Sequence, residues 1–119
     1  MAHIILARNL KMQNKKPQLK YIKENCNHIY FVKNPTEEMQ LEAVKNTASA
    51  IRWIEKPTKK VQLIAVKQCY YVINYIKNPY EVVQLEGIKQ CNSAIQYIKT
   101  PSKKVKYTHK LINKLHKFV

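Results

Sequence analysis

The chain carries few side chains suited to catalysis or metal binding. Its histidines are His3, His28, His109 and His116, and its cysteines are Cys26, Cys69 and Cys91. His109 and His116 stand seven apart with no third ligand near them, so no zinc site takes shape. The thiols form no CxxC, and their odd number argues against a disulfide framework. Cys69 and Cys91 hold equivalent positions about 8–10 Å apart, beyond disulfide reach, and read as half-buried small residues. Aspartate is absent, and Glu37, Glu38 and Glu81 stand near expected helix starts, where they complement the dipole. There is no phosphate-cradling loop, HExxH or nucleophile elbow. The expectation is a non-enzymatic chain with no cofactor, metal or small-molecule substrate.

What remains is lysine. Basic residues number 22 against 7 acidic ones, a net charge of +15. Only Arg8 and Arg52 are arginine, so base-edge readout, which favours arginine, is not expected. The surplus sits at the ends: residues 1–20 and 99–119 contain no acid at all. In the tail, Lys103, Lys104, Lys106, Lys110, Lys114 and Lys117 mostly lie opposite Val105, Leu111, Ile112, Leu115 and Phe118 on a helical wheel. This is either a capping helix with a solvated outer face or a helix that docks on an acidic partner. Such a partner is nucleic acid, a nucleoprotein or an acidic protein; an anionic membrane comes third. No run approaches about 18 apolar residues, and no secretion signal opens the chain, so an intracellular setting is expected.

These residues are positioned by a repeat. Pro35, Pro57, Pro79 and Pro101 recur every 22 residues. The units are 17–38, 39–60, 61–82 and 83–104, flanked by an N-terminal cap at 1–16 and a basic capping helix at 105–119. A fixed period without insertions marks a stack of repeats in one domain. Leu19, Leu41, Leu63 and Leu85 form an apolar column, with Ile22, Val44, Val66 and Ile88 three residues later on the same helical face. Ala43, Ala65 and Gly87 keep that face small, while Tyr21 interrupts the series. A second apolar pair recurs at Ile29/Val32, Ile51/Ile54, Ile73/Ile76 and Ile95/Ile98. Each unit therefore predicts two short helices, the first from about the proline (Pro57–Gln68, for example) and the second around "SAIRWIE". Proline suits a first helical position, with Asn34, Asn78 and Thr100 as caps and Thr58 in place of Lys56.

Two polar columns accompany the apolar ones. Gln18, Gln40, Gln62 and Gln84 read as an amide ladder along the stack. Lys23, Lys45, Lys67 and Lys89 end the first helices, where positive charge is favoured; spaced about 10 Å apart, they also form a stripe that could follow phosphates. Phe31, Trp53, Tyr75 and Tyr97 stand at core-like spacing, which favours packing over base stacking. Tyr70 and Tyr71 fall in the expected turn between helices and are candidate contact residues.

The recurring wording, as in "YIKNPYEVVQLEGIKQ", resembles a family of short helical repeats of undetermined function. These are common in proteins of large phages, other mobile elements and giant DNA viruses. The resemblance covers about residues 17–104 and is best in the second to fourth units. It implies an α-solenoid of helical hairpins and a viral or phage setting, and it brings no catalytic residues. The sequence thus predicts an all-α solenoid of four two-helix units with a helical cap at each end. It points to binding of nucleic acid or a nucleoprotein, or alternatively to an adaptor or inhibitor acting on a host protein complex.

Overall fold

A computed structural model of the chain describes residues 15–117. Those residues are all-helical, with no strand among them. Five α-helices, α1 (Lys15–Glu24), α2 (Glu37–Asn46), α3 (Lys59–Gln68), α4 (Glu81–Gln90) and α5 (Lys103–His116), alternate with four six-residue 3-10 helices, η1 (Cys26–Phe31), η2 (Ala48–Trp53), η3 (Tyr70–Tyr75) and η4 (Asn92–Tyr97). The N-terminal cap expected over 1–16 lies outside the described residues apart from Lys15 and Lys16 on α1, and so does Phe118.

The starts of α2 to α5 fall two residues after the proline expected to open them. Proline does not open the helix. The residue after it is the N-cap, extended at φ −68, ψ 162 in Thr36. The hydroxyls of Thr36, Thr58 and Ser102 accept from the backbone N–H of Met39, Val61 and Val105. Asn34, Asn78 and Thr100, expected as caps, therefore lie outside the helices. Asn34 instead adopts φ 53, a left-handed conformation that asparagine tolerates. Thr58, expected to cap only where Lys56 could not, follows the general rule. Tyr80 takes the cap position of α4 and supplies no side-chain bond.

Helices α2, α3 and α4 each end on one extended residue, Thr47, Cys69 or Cys91, whose N–H still reaches the carbonyl of Ala43, Ala65 or Gly87. That residue also opens the following 3-10 helix. In a 3-10 helix positions i and i+3 eclipse. Ile29/Val32, Ile51/Ile54 and Ile73/Ile76 therefore share one inward edge and are at most 6% exposed.

The core is a set of columns along the molecule. Ala43, Ala65 and Gly87 are fully buried, as are Val44 and Val66. Met39, Val61, Val83 and Val105 form a further column at no more than 1% exposure, one the apolar spacing had not singled out. Each such side chain contributes about 1.5–3 kcal/mol by leaving water. The leucine column is only half-buried: Leu19, Leu41, Leu63 and Leu85 pack on the flank of the core. Tyr21 fills its position in the small-residue column and stacks on His28 with ring centroids 3.8 Å apart.

The glutamines join one unit to the next. Gln40 Nε2–H donates to Pro35 O (3.1 Å), and its Oε1 accepts from Thr58 N–H (3.1 Å). Gln62 bonds Pro57 O and Tyr80 N–H at 3.1 and 3.3 Å, and Gln84 bonds Pro79 O and Ser102 N–H at 2.9 and 3.1 Å. Each amide thus ties the proline that precedes its own helix to the cap residue of the next helix. Gln18, 1% exposed, has no hydrogen-bond partner for either amide atom.

Among the described residues, every element packs only on elements of its own or the adjoining unit. The molecule measures 58 × 23 × 21 Å with a radius of gyration of 16.9 Å, against about 13 Å for a compact domain of this length. Among the described residues no helix is long and apolar enough to cross a membrane.

Candidate functional site

The basic helix α5 is anchored through a narrow face. Val105 is fully buried, in the place Val83 holds one unit earlier. His109, in the place of Gly87, is held by a side-chain network. Its Nδ1–H donates to the carbonyl (3.1 Å) and Oδ1 (2.9 Å) of Asn92, and its Nε2 accepts from Asn113 (3.3 Å). Asn92 Nδ2–H donates to Asn113 Oδ1 at 2.6 Å. Val105, Thr108, His109 and Ile112 thus face the preceding unit, and Ile112 borders a cleft shared with Leu85 and Ile88.

The tail's expected single apolar face is therefore split. Leu111 aligns with the lysine column, not with the core, so it turns outward, 41% exposed. With Tyr107 (63%) and Leu115 (65%) it makes an exposed stripe at i, i+4, i+8. Lys103, Lys104, Lys106, Lys110, Lys114 and Lys117 are all exposed. Lys106 stands where Gln84 bonds forward one period earlier, and Lys110 where Ile88 is buried.

The lysines at the helix ends, Lys23, Lys45, Lys67 and Lys89, are exposed in the last turns of α1 to α4. Other side chains meet nearby carbonyls: Asn46 Nδ2–H donates to Glu42 O and Gln90 Nε2–H to Val66 O. Tyr70 and Tyr71 are not in a loop but open η3, their rings edge to face at 6.2 Å. The Tyr70 hydroxyl is bonded to the Cys91 sulfur and that of Tyr71 to the Cys69 sulfur, which holds both phenols above their usual range. The Cys91 thiol is drawn below its usual range by the hydroxyls of Ser93, at 3.1 Å, and of Tyr70. All three cysteines are free. Among the described residues no three of His, Cys, Asp and Glu gather where a metal could bind.

The aromatic column departs most from expectation. Trp53 and Tyr75 are 38% and 41% exposed, and Phe31 and Tyr97 are half-buried. Both rings lie off the buried Ile51/Ile54 and Ile73/Ile76 edges. These rings join two residues that sequence reasoning passed over, Tyr30 and Arg52. Tyr30 lies edge to face with Phe31 and with Trp53, each at 5.1 Å. The Arg52 guanidinium lies 4.7 Å from the Trp53 ring and 5.6 Å from the Tyr75 ring. In each case the residue before the column position reaches the column ring of the next unit. The result is a continuous surface ladder: Phe31, Tyr30, Trp53, Arg52, Tyr75. The loops beside it expose Lys33, Lys56, Lys77 and Lys99. Only the repeat register, one aromatic per unit followed by a lysine, hinted at this edge. No protein-family model, curated protein or solved structure matches the chain.

Proposed function

We propose that the chain is a non-enzymatic α-solenoid of four two-helix units, closed at its C-terminal end by α5, and that it binds nucleic acid through its lysine-rich surface. Neighbour-only packing and the forward-bonding glutamines support the stack, since units of this length cannot bury their apolar faces alone. One observation carries the binding reading: five lysines are exposed on α5 and Lys117 directly after it, and no acidic residue stands anywhere from 99 to 119 to neutralise them. Lys103 and Lys104 sit in the first turn of that helix, where positive charge is unfavourable. Folding alone gives no reason to place them there; phosphate binding does. The test replaces Lys103, Lys104, Lys106, Lys110 and Lys114 by glutamate and follows binding to labelled DNA and RNA by fluorescence anisotropy. The reading requires at least a tenfold loss at 50 mM salt; unchanged binding would reduce α5 to a cap.

A second reading rests on the exposed stripe of Tyr107, Leu111 and Leu115. Apolar side chains flanked by lysine suit an adaptor that docks on an acidic protein surface. In the viral or phage setting that the repeat wording implies, that surface belongs to a host protein complex. Leu115→Glu would abolish such docking and leave phosphate binding nearly intact.

A further inference from the structure

We infer that the edge formed by η1, η2 and η3 is a stacking platform for single-stranded nucleic acid, with bases on Tyr30, Trp53 and Tyr75 and phosphates along the loop lysines. This rests on the nucleic-acid reading above and assigns it a second face, away from α5. Three observations converge. The first is the ladder itself, in which Tyr30 meets Phe31 and Trp53 edge to face at 75–82°, so that no two of these rings are stacked flat, while Arg52 lies over one face each of Trp53 and Tyr75. Tyr30, Trp53 and Tyr75 keep 61%, 38% and 41% of their surface in water. The second is Arg52, a planar cation between two of those rings, which can itself stack on a base. The third is a groove of about 980 Å³ between the first two units, whose lining brings Tyr30, Trp53 and Arg52 together with Lys33 and Lys56, against a single carboxylate, Glu55. Ring and cation therefore line the same concavity, the pairing that holds single strands without sequence preference.

A duplex does not fit this arrangement, because its base faces are already stacked on one another. Helix packing spaces the rings by about 8–10 Å, while successive bases in a stacked strand rise about 3.4 Å. About one base in three would meet a ring, with the bases between them spanning the gap. Discrimination among bases is expected to be weak, since every base has a π-face and Arg52 is the only arginine among the described residues.

Trp53 is the sole tryptophan and reports directly on the platform. The experiment titrates the full chain with oligo-dT, oligo-U and a duplex of equal length, reading Trp53 emission and, separately, anisotropy of labelled strands. Expected are quenching by the single strands, little by the duplex, and a loss of single-strand affinity of about 5- to 150-fold for Trp53→Ala. Tyr75→Ala and Tyr30→Ala should lower it in the same sense, and Trp53→Phe should largely restore it. Far-UV circular dichroism shows whether each variant is folded, and the two exposed tyrosines test the platform independently if Trp53→Ala is not. Salt-sensitive binding with unmoved emission and neutral aromatic variants would overturn the platform and leave the α5 reading standing. Absence of binding to every strand would overturn both.

Discussion

Gln62→Met removes the amide that links the second and third units while nearly keeping its volume. Gln62 is 4% exposed, and its two bonds reach Pro57 O at 3.1 Å and Tyr80 N–H at 3.3 Å. Methionine satisfies neither group. An orphaned buried donor or acceptor costs about 1–3 kcal/mol, and these two are only partly buried, so the expected loss is about 2–4 kcal/mol. With a urea slope of about 2 kcal/mol/M, the midpoint falls by about 1–2 M. An internal control stands in the same column. Gln18 is equally buried but bonds to nothing, so Gln18→Met should be neutral or should raise the midpoint. Urea titrations followed by far-UV circular dichroism compare the two directly. Equal effects, or a Gln62→Met change within about 0.5 kcal/mol of wild type, would refute the claim that the amides fasten unit to unit.

Gly87→Ala should stabilise α4 by about 0.5–1 kcal/mol in the same titration. A methyl there would meet Ile73 Cδ1 at 3.4 Å and Val66 Cγ1 at 3.8 Å, which is ordinary contact. Tyr80→Thr restores the hydroxyl cap that α2, α3 and α5 possess. The cap is worth about 1 kcal/mol and the lost contact with Lys59 about 0.5, so a net gain near 0.5 kcal/mol is expected in thermal unfolding. Lys103→Glu should raise stability by about 0.3–1 kcal/mol through the helix dipole while weakening nucleic-acid binding. Opposite signs in melting and anisotropy are the expected outcome; a change in stability with no change in binding would assign the lysine to composition alone.

The 22-residue period made much of the fold legible, because a side chain that must meet the same neighbour in every unit recurs at the same place. The second apolar pair and the glutamine ladder follow from that logic, and Gln40, Gln62 and Gln84 bond as a buried amide column must. Legibility failed where a column recurs without being buried. Trp53 and Tyr75 read as packed residues from their recurrence between the second apolar pairs, yet both stand partly in water. The proline rule misplaced the cap because proline at a first helical position is also physically sound; the following hydroxyl wins by reaching the third helical N–H. Leu111 and Leu115 could not be placed from amphipathicity, since the repeat register, not the wheel, chooses which face of α5 meets α4. Tyr30 and Arg52 drew no notice because their role exists only across a unit boundary.

The most direct test of the account is the salt dependence of single-strand binding, measured by anisotropy from about 50 to 300 mM salt. If the strand contacts Lys33, Lys56, Lys77 and Lys99, four phosphates are neutralised, and log K falls against log salt with a slope of about −3. Recruitment of α5 steepens it further. Sub-micromolar affinity at the lowest salt with that slope is the predicted result. A slope near zero, or no binding at 50 mM, would contradict nucleic-acid recognition and leave the stripe of Tyr107, Leu111 and Leu115 as the surface to pursue.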